Sequence, residues 1–333
     1  MRVLITGIGG FIGSHLMDHL LVNTDWEIVG IDSFRHKGLT DRITESAHYQ
    51  AHRARVTIFT HDLSAPLSRG LTRDIGEIDI CYNLASDSHV DRSIDDPVRF
   101  VQNNVNLVLT MLEWARIVRP RAFFQISTDE VYGPATDGER HVEWSPIVPS
   151  NPYAASKAAQ EAIAISYWRS YGVPVVLTNT MNNFGERQDP EKYLPKTIRA
   201  VLQGHTLTVH GTPGRVGSRF YLHARNHADA LLWLSGRTPK AYPAARRPDR
   251  YNIVGEREVD NLQLAQIVAE ILEKPLQYEL VDFHSARPGH DRRYALDGRK
   301  MEELGWHPPV PFERALERTI RWYLKYPRWL ELT

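Results

Sequence analysis

Thr6-Gly7-Ile8-Gly9-Gly10-Phe11-Ile12-Gly13 joins the apolar run Arg2–Thr6 to a helical pattern at Ile12–Val22. The spacing of Gly7, Gly10 and Gly13 decides the fold class. A tight turn out of a strand needs a residue without Cβ, a pyrophosphate must approach the backbone closely, and helix and strand must pack near each other. The helix N-terminus then presents N–H groups and its positive dipole end to phosphate. Three glycines alone carry little weight; between a strand and a helix they read as a dinucleotide turn. Asp32 ends the next strand run, 19 residues after Gly13, where an acid takes the adenosine ribose hydroxyls. A carboxylate there repels a 2′-phosphate, so NAD is expected rather than NADP. Phe11 and Ile12 fall between the second and third glycines and join the candidate cofactor site. Asp62-Leu63, after the third strand run, adds a candidate adenine contact.

Outward from this turn, short β-branched runs alternate with longer amphipathic stretches. The expected strands are Arg2–Thr6, Glu27–Ile31, Val56–Phe59, Ile78–Leu84, Ala122–Ser127 and Val175–Asn179. Several are apolar on both faces, as buried parallel strands are. Helical patterns lie between them, with Val98–Val118 the longest. Ala154–Tyr171 follows the capping signal Ser150-Asn151-Pro152. The alternation predicts a doubly wound, Rossmann-type α/β sheet. After residue 180 the rhythm changes. Gly211–Gly217 and Arg237–Arg250 read as long loops, with helices expected at Tyr193–Gln203, His227–Leu234, Asn261–Leu272 and Phe312–Lys325. The expected division is discontinuous: 1–180 plus about 220–254 in the cofactor domain, and about 181–219 plus 255–333 in a smaller α/β domain.

The chain has 333 residues, with 40 Lys+Arg against 40 Asp+Glu. Zero net charge argues against coating nucleic acid or an anionic membrane, either of which needs a basic excess. Arg accounts for 32 of the 40 basic residues, and its planar fork suits phosphate. The one cysteine, Cys81, rules out an intrachain disulfide and a cysteine-based zinc site. No metal site is expected. No apolar stretch reaches membrane-spanning length and the N-terminus reads as a strand, so a cytoplasmic protein is expected.

Tyr153-Ala154-Ala155-Ser156-Lys157 puts a phenol and an ammonium four residues apart on one helical face. An ammonium near a phenol stabilises phenolate and lowers its pKa toward a general base's range. Such pairs are common on ordinary helices; the position after a dinucleotide-binding half gives this one weight. Ser127-Thr128-Asp129-Glu130 leaves a strand at the carboxyl edge of the sheet, where ligands bind in such folds. Adjacent carboxyls in a dry pocket cannot both ionise freely, so one serves as acid and the other as base.

With these motifs the chain resembles the extended short-chain dehydrogenase/reductases of the NAD-dependent epimerase/dehydratase family, and among them the nucleotide-sugar 4,6-dehydratases. The likeness spans nearly the whole length: TGIGGFIGSHL (6–16), NLASDSHVDRS (83–93), STDEVYG (127–133), NPYAASKAAQE (151–161), NNFGERQDPEKYLP (182–195), YNIVGE (251–256) and RPGHDRRYALD (287–297). The Thr-Asp-Glu triplet discriminates, because 4-epimerases typically carry small residues there and the decarboxylases lack the Asp. The resemblance implies that Tyr153 takes the 4-hydroxyl proton of a nucleotide-diphosphate hexose during oxidation by tightly bound NAD. Lys157 tunes Tyr153 and holds the nicotinamide ribose, and Thr128 bonds the 4-oxygen. Glu130 removes the C5 proton and Asp129 protonates the departing C6 hydroxyl. Leu84, Ala85, Ser86 and Asn183 run along the cofactor. Ser88, Asn182, Lys192, Leu194, Pro195, Arg219, Asn252, Arg287 and His290 meet the substrate. A homodimer through Val98–Val118 and Ala154–Tyr171 is also implied.

The chain departs from the family pattern at several positions. Phe220-Tyr221 stands where Asp-Trp is usual, Arg225-Asn226 where acids are usual, Ala286 where an acid is usual, and Met181 where a small polar residue is usual. These departures are expected to cluster on the substrate side, and they leave the nucleotide and the sugar open. The competing readings are another nucleotide-sugar transformation on the same scaffold (epimerisation, decarboxylation or an altered dehydration) and a non-catalytic NAD-binding regulator.

Overall fold

The computed structural model describes residues 1–35, 38–282 and 291–332. Seven strands form one parallel sheet: β1 (Arg2–Thr6), β2 (Glu27–Asp32), β3 (Val56–Thr60), β4 (Ile80–Asn83), β5 (Ala122–Thr128), β6 (Val175–Thr180) and β7 (Asp249–Ile253). Their spatial order is β7-β6-β5-β4-β1-β2-β3. The order reverses between β1 and β4, which opens the crevice where doubly wound sheets bind ligands. All seven residues of β5 are buried, as its central place demands.

Alternate side chains of β1 feed two cores, since successive residues of a strand point to opposite faces. Val3 and Ile5 pack with Leu16, Met17 and Leu20 of helix α1 (Phe11–Asn23). Leu4 joins the opposite core with Val108, Met111 and Leu112 of helix α2 (Pro97–Val118) and Trp168 of helix α3 (Pro152–Tyr171). Caps fix where α2 and α3 begin. Asp96 and Asn151 accept N–H groups from the first turns, and Pro97 and Pro152 occupy the first helical positions.

A third core lies away from the sheet. It joins helix α4 (Tyr193–Gln203), helix α6 (Asn261–Leu272) and helix α7 (Phe312–Lys325) through Leu194, Ile198, Leu264, Val268, Leu316 and Ile320. Helix α5 (Ala224–Ser235) instead packs on α1 in the first core, and Met301 and Trp306 join it there.

Two expected loops are corrected. Gly211–Gly217 contains the second arm of a hairpin, in which Leu207–Thr212 pairs antiparallel with Arg215–Val216 around Pro213-Gly214. Gly214 sits at φ 74°, which only glycine adopts cheaply. Arg237–Arg250 is not loop throughout, because Asp249 and Arg250 open β7 at the sheet edge. Strand β7 also supplies the seventh sheet position, beside β6.

Candidate active site

The glycine turn fits a dinucleotide by its sterics. Gly7 has φ 70°, and a Cβ on it would meet the Ala85 backbone at 3.1 Å. A Cβ on Gly13 would lie 2.1 Å from the Gly7 carbonyl oxygen, so helix α1 can approach β1 only with glycine there. Gly10 is the N-cap and brings no side chain to the first turn of α1, whose N–H groups are those a pyrophosphate takes. Asp32 ends β2 as expected. Its carboxylate accepts the Gly9 N–H at 2.9 Å and the Phe34 N–H at 2.9 Å. Burial raises its pKa, and those backbone donors oppose the rise. Asp62 accepts the Ser64 N–H at 3.0 Å and pairs with Arg35 across the same edge. The Leu63 side chain is buried in the second core, so only its backbone is left for an adenine contact.

A buried chain of hydrogen bonds runs from this turn to the expected catalytic helix. The Ala85 N–H donates to Thr6 Oγ1 at 3.1 Å, and Thr6 donates to Asn83 Oδ1 at 2.7 Å. Asn83 donates to Gln125 Oε1 at 2.8 Å, and Gln125 to Gln160 Oε1 at 3.2 Å. Lys157 Nζ ends the chain, donating to the same Gln160 oxygen at 2.7 Å and to the Ile126 carbonyl at 2.7 Å. Gln160 is tied in turn to the Asn104 carbonyl on α2 at 2.7 Å. Apart from Lys157–Gln160, each link crosses from one strand or helix to another segment, so sequence spacing carried no trace of it. The one local signal was Lys157 and Gln160 three residues apart on a helix.

The Lys157 ammonium makes no hydrogen bond to the Tyr153 hydroxyl among the described residues; it is committed to Ile126 and Gln160. Burial lowers its own pKa to about 8. Tyr153 is buried, and its pKa is raised by that burial and by the charges of Glu130 and Asp129, while the Thr128 hydroxyl pulls it down. Burial and the two acids thus oppose phenolate formation at Tyr153, and the Thr128 hydroxyl favours it.

Thr128, Asp129 and Glu130 lie together where β5 runs into a short 3₁₀ turn. Thr128 Oγ1 donates to Asp129 Oδ1 at 2.8 Å. Asp129 is 4% exposed, and burial, reinforced by the charge of Glu130, raises its pKa to about 7. Burial raises Glu130 as well, against the Asn151 amide, the Arg219 and Lys192 charges and the Tyr294 hydroxyl. Near neutrality Asp129 can therefore hold a proton beside an acceptor of different environment, which is the acid–base division that paired carboxyls achieve.

The expected substrate residues divide. Lys192 sits at the N-cap of α4, where burial lowers its pKa and the Glu130 carboxylate opposes that. Arg219 donates to the carbonyls of Ser218, Arg292 and Asp291 and lies over the Tyr294 ring at 4.5 Å. Its charge bears on the two acids, and its terminal nitrogens are already engaged. Leu194 and Pro195 are buried, Leu194 in the third core. Asn252 is fully buried and donates to the carbonyls of His141 and Asp297, so it ties segments together within the fold. Asn183 donates to Thr180 and Met181 beside the end of β6, and Asn182 and Ser88 are exposed. Leu84 and Ser86 are half-buried beyond β4. Arg287, His290 and the departure at Ala286 lie outside the described residues.

Two departures from the family pattern pack together: Met181 and Phe220 share an apolar cluster with Val131 and Tyr294, next to the acids. The Arg225-Asn226 departure does not join them. Arg225 pairs with Glu186 at 3.2 Å, Glu186 faces His15 of α1, and Asn226 bonds the Val310 backbone. That change belongs to the packing beside α1 rather than to the substrate side. Sequence reasoning also passed over Tyr294, which donates to Glu130 Oε2 at 3.3 Å. It missed the buried ion pair between Glu161 of α3 and Arg250 of β7 as well.

A family model described as GDP-mannose 4,6 dehydratase matches residues 4–319. A probable dTDP-glucose 4,6-dehydratase of Sinorhizobium fredii is 36% identical, the match covering 99% of this chain and 94% of that protein. The dTDP-glucose 4,6-dehydratase of Escherichia coli is 32% identical over 99% of this chain and 95% of its own. Among solved structures, a double mutant of DesIV, a dTDP-glucose 4,6-dehydratase from Streptomyces venezuelae crystallised with NAD bound, superposes with a TM-score of 0.86. It shares 33% sequence identity, and the match covers 99% of both chains.

Proposed function

The chain belongs to the GDP-mannose 4,6-dehydratase family and is an NAD-dependent nucleotide-sugar 4,6-dehydratase; from that premise we propose that Thr128, Asp129, Glu130, Tyr153 and Lys157 divide the reaction among them. Gly7, Gly10, Gly13 and Asp32 would hold the dinucleotide, with Phe11, Ile12, Ala85 and Asn183 along it. NAD, when bound, supplies an oxidation at C4 that is reversed at C6, so it is regenerated each turnover.

Tyr153, as the phenolate that the Lys157 ammonium would favour, receives the proton of the 4-hydroxyl, with Thr128 orienting the oxygen. A ketone at C4 acidifies the neighbouring C5 proton, which Glu130 removes. Asp129 gives its proton to the C6 hydroxyl, and one water leaves. Glu130 then returns its proton to C5 as C6 is reduced, and the product is a nucleotide 4-keto-6-deoxyhexose. The observation that carries this reading is the pair at the end of β5: Asp129 poised near pH 7 next to Glu130, close enough to Tyr153 for both acids to raise its pKa. A sensor of NAD needs the glycines but not these acids.

dTDP-glucose is the first substrate to test, after the names of the relatives. The decisive experiment offers dTDP-, UDP-, CDP- and GDP-hexoses to the purified protein and reads products by mass spectrometry. Loss of one water without net NADH supports the reading. An isomer of unchanged mass, or carbon dioxide lost from a glucuronate, overturns it. Glu130→Gln should abolish solvent deuterium entry at C5, and normal exchange would remove Glu130 from the base role.

We further propose a homodimer through α2 and α3. These two helices, which the family resemblance marks for the interface, pack closely on each other within the chain. The separate core of α4, α6 and α7 supports a discontinuous division, with Met301 and Trp306 returning to the first core. A cytoplasmic site of action fits a chain whose single cysteine is a buried free thiol. Among the described residues, no helix is long and apolar enough to cross a membrane.

A further inference from the structure

Asn151 immediately precedes the catalytic helix, and its side chain makes two hydrogen bonds among the described residues. Its Oδ1 accepts the Ala154 N–H at 2.8 Å, which caps α3. Its Nδ2 donates to Glu130 Oε2 at 3.3 Å. The Tyr294 hydroxyl donates to that same oxygen at 3.3 Å. Glu130 Oε1 makes no hydrogen bond among the described residues. The two donors therefore converge on one carboxylate oxygen and leave the other to take a proton.

Capping alone does not call for asparagine, since serine and aspartate cap equally well. An amide differs in carrying an acceptor and two donors at fixed separation, so it can accept from a helix N–H and still donate to a carboxylate. Asn151 is 6% exposed, which keeps water from substituting for it easily.

We propose that Asn151 is a positioning residue for the base: from the N-cap of the helix that carries Tyr153 and Lys157, it fixes the direction of the Glu130 carboxylate. One side chain then sets the start of the oxidation helix and the aim of the group that removes the C5 proton. The inference rests on the reading of Glu130 as the C5 base. Asn151 acts through Glu130, and its effect falls on elimination rather than on the C4 step.

Glu130 sits among other charges and titratable groups. Asp129 adjoins it on the same turn, Tyr153 faces it from α3, Lys192 from the start of α4, and Arg219 and Tyr294 from the far wall. Burial pushes the Glu130 pKa up, and the Asn151 amide is the first influence pulling it down. Loss of that amide therefore leaves the carboxylate harder to ionise as well as less well aimed.

Asn151→Ser in the full chain loaded with NAD separates the cap from the bond to Glu130, because serine keeps the cap and lacks the amide. C4 oxidation, read as NADH absorbance in a single turnover, should stay within about twofold. Solvent exchange at C5 should fall about tenfold, and the acid limb of elimination should move up by about one pH unit, the same tenfold expressed in protons. Asn151→Asp, which caps but brings a carboxylate toward Glu130, should move that limb further. A ¹³C titration of the Glu130 carboxyl, assigned with Glu130→Gln, reads the same change without sugar.

Unchanged exchange and an unchanged Glu130 titration in Asn151→Ser overturn the proposal. Equal slowing of C4 oxidation and C5 exchange also overturns it, since that marks a cap and nothing more. If the wild-type protein removes water from no nucleotide hexose, the dehydratase reading falls instead. The carboxyl titration still decides whether Asn151 governs Glu130.

Discussion

The Thr128 hydroxyl donates to Asp129 Oδ1 at 2.8 Å, while Asp129 Oδ2, equally buried, has no hydrogen-bond partner among the described residues. A half-satisfied buried carboxyl next to Glu130 is better off neutral, which is why burial raises its pKa from 3.8 to about 7. The folded protein keeps a proton there that the unfolded chain has lost between about pH 4 and pH 7. Stability therefore falls as pH rises through that window, and the full cost is present above it. Asp129→Asn keeps the acceptor for Thr128 and removes the charge. It should raise unfolding stability by roughly 2–4 kcal/mol at pH 8, and the gain should vanish toward pH 4. The same variant should slow water loss by about 10²-fold, the usual worth of a positioned acid, while sparing C4 oxidation. Urea unfolding at several pH values and a single-turnover assay check both halves.

Glu161 and Arg250 form an ion pair with side chains 0% and 1% exposed, and both bond Asn179, whose amide donates to the Thr128 carbonyl. Arg250→Met strands a buried carboxylate and should cost roughly 3–5 kcal/mol. Adding Glu161→Gln removes the stranded charge while keeping an acceptor for Asn179, and should recover most of that loss. Urea titration of the two variants decides it. A double variant as weak as the single one would mean that Arg250 acts mainly by packing between Tyr132 and Trp144, whose rings it faces at 5.2 and 5.0 Å.

That pair also shows what the sequence could carry. Apolar runs and caps are local, so β1, α4, α6 and α7 fall on the residues their patterns mark, and the glycine turn with Asp32 is read from spacing alone. Strand β7 is different. Asp249, Arg250 and Asn252 give it three polar positions in five, and all are buried. Arg250 can be there because Glu161 and Asn179 lie opposite it, 89 and 71 residues away. A stretch made stable by remote partners reads as loop when only its neighbours are in view. The same reason hid the partners of Lys157: its position four residues after Tyr153 is legible, whereas the chain through Gln160, Gln125, Asn83 and Thr6 exists only once the sheet has assembled.

Asp32 should govern the choice between NAD and NADP through its charge. Its carboxylate is held in place by the Gly9 and Phe34 N–H groups, so Asp32→Asn can keep one of these acceptors while losing the repulsion toward a 2′-phosphate. The preference for NAD over NADP should fall by about tenfold or more, in line with one charge-assisted contact. Calorimetric titration with each dinucleotide measures the ratio. An unchanged ratio would place the discrimination elsewhere on this edge, with Arg35 and Asp62 the next pair to alter.

Lys157 should set the alkaline limb of C4 oxidation. Its pKa is lowered by burial to about 8, so the ammonium is present below that pH and lost above it. Of the two forms of Lys157 only the ammonium carries a charge that favours phenolate on Tyr153, whose burial and acidic neighbours work against it. The rate of the C4 step should therefore decline above about pH 8. Gln160 Oε1 accepts from Lys157 at 2.7 Å and favours its charged form. Gln160→Met removes that acceptor, lowers the Lys157 pKa further, and should move the limb toward acid by about one unit, the worth of a single hydrogen bond to a charged group. Stopped-flow NADH formation across pH 6–10 distinguishes the outcomes. A limb that stays in place in Gln160→Met would assign it to another group and leave Lys157 a purely geometric part.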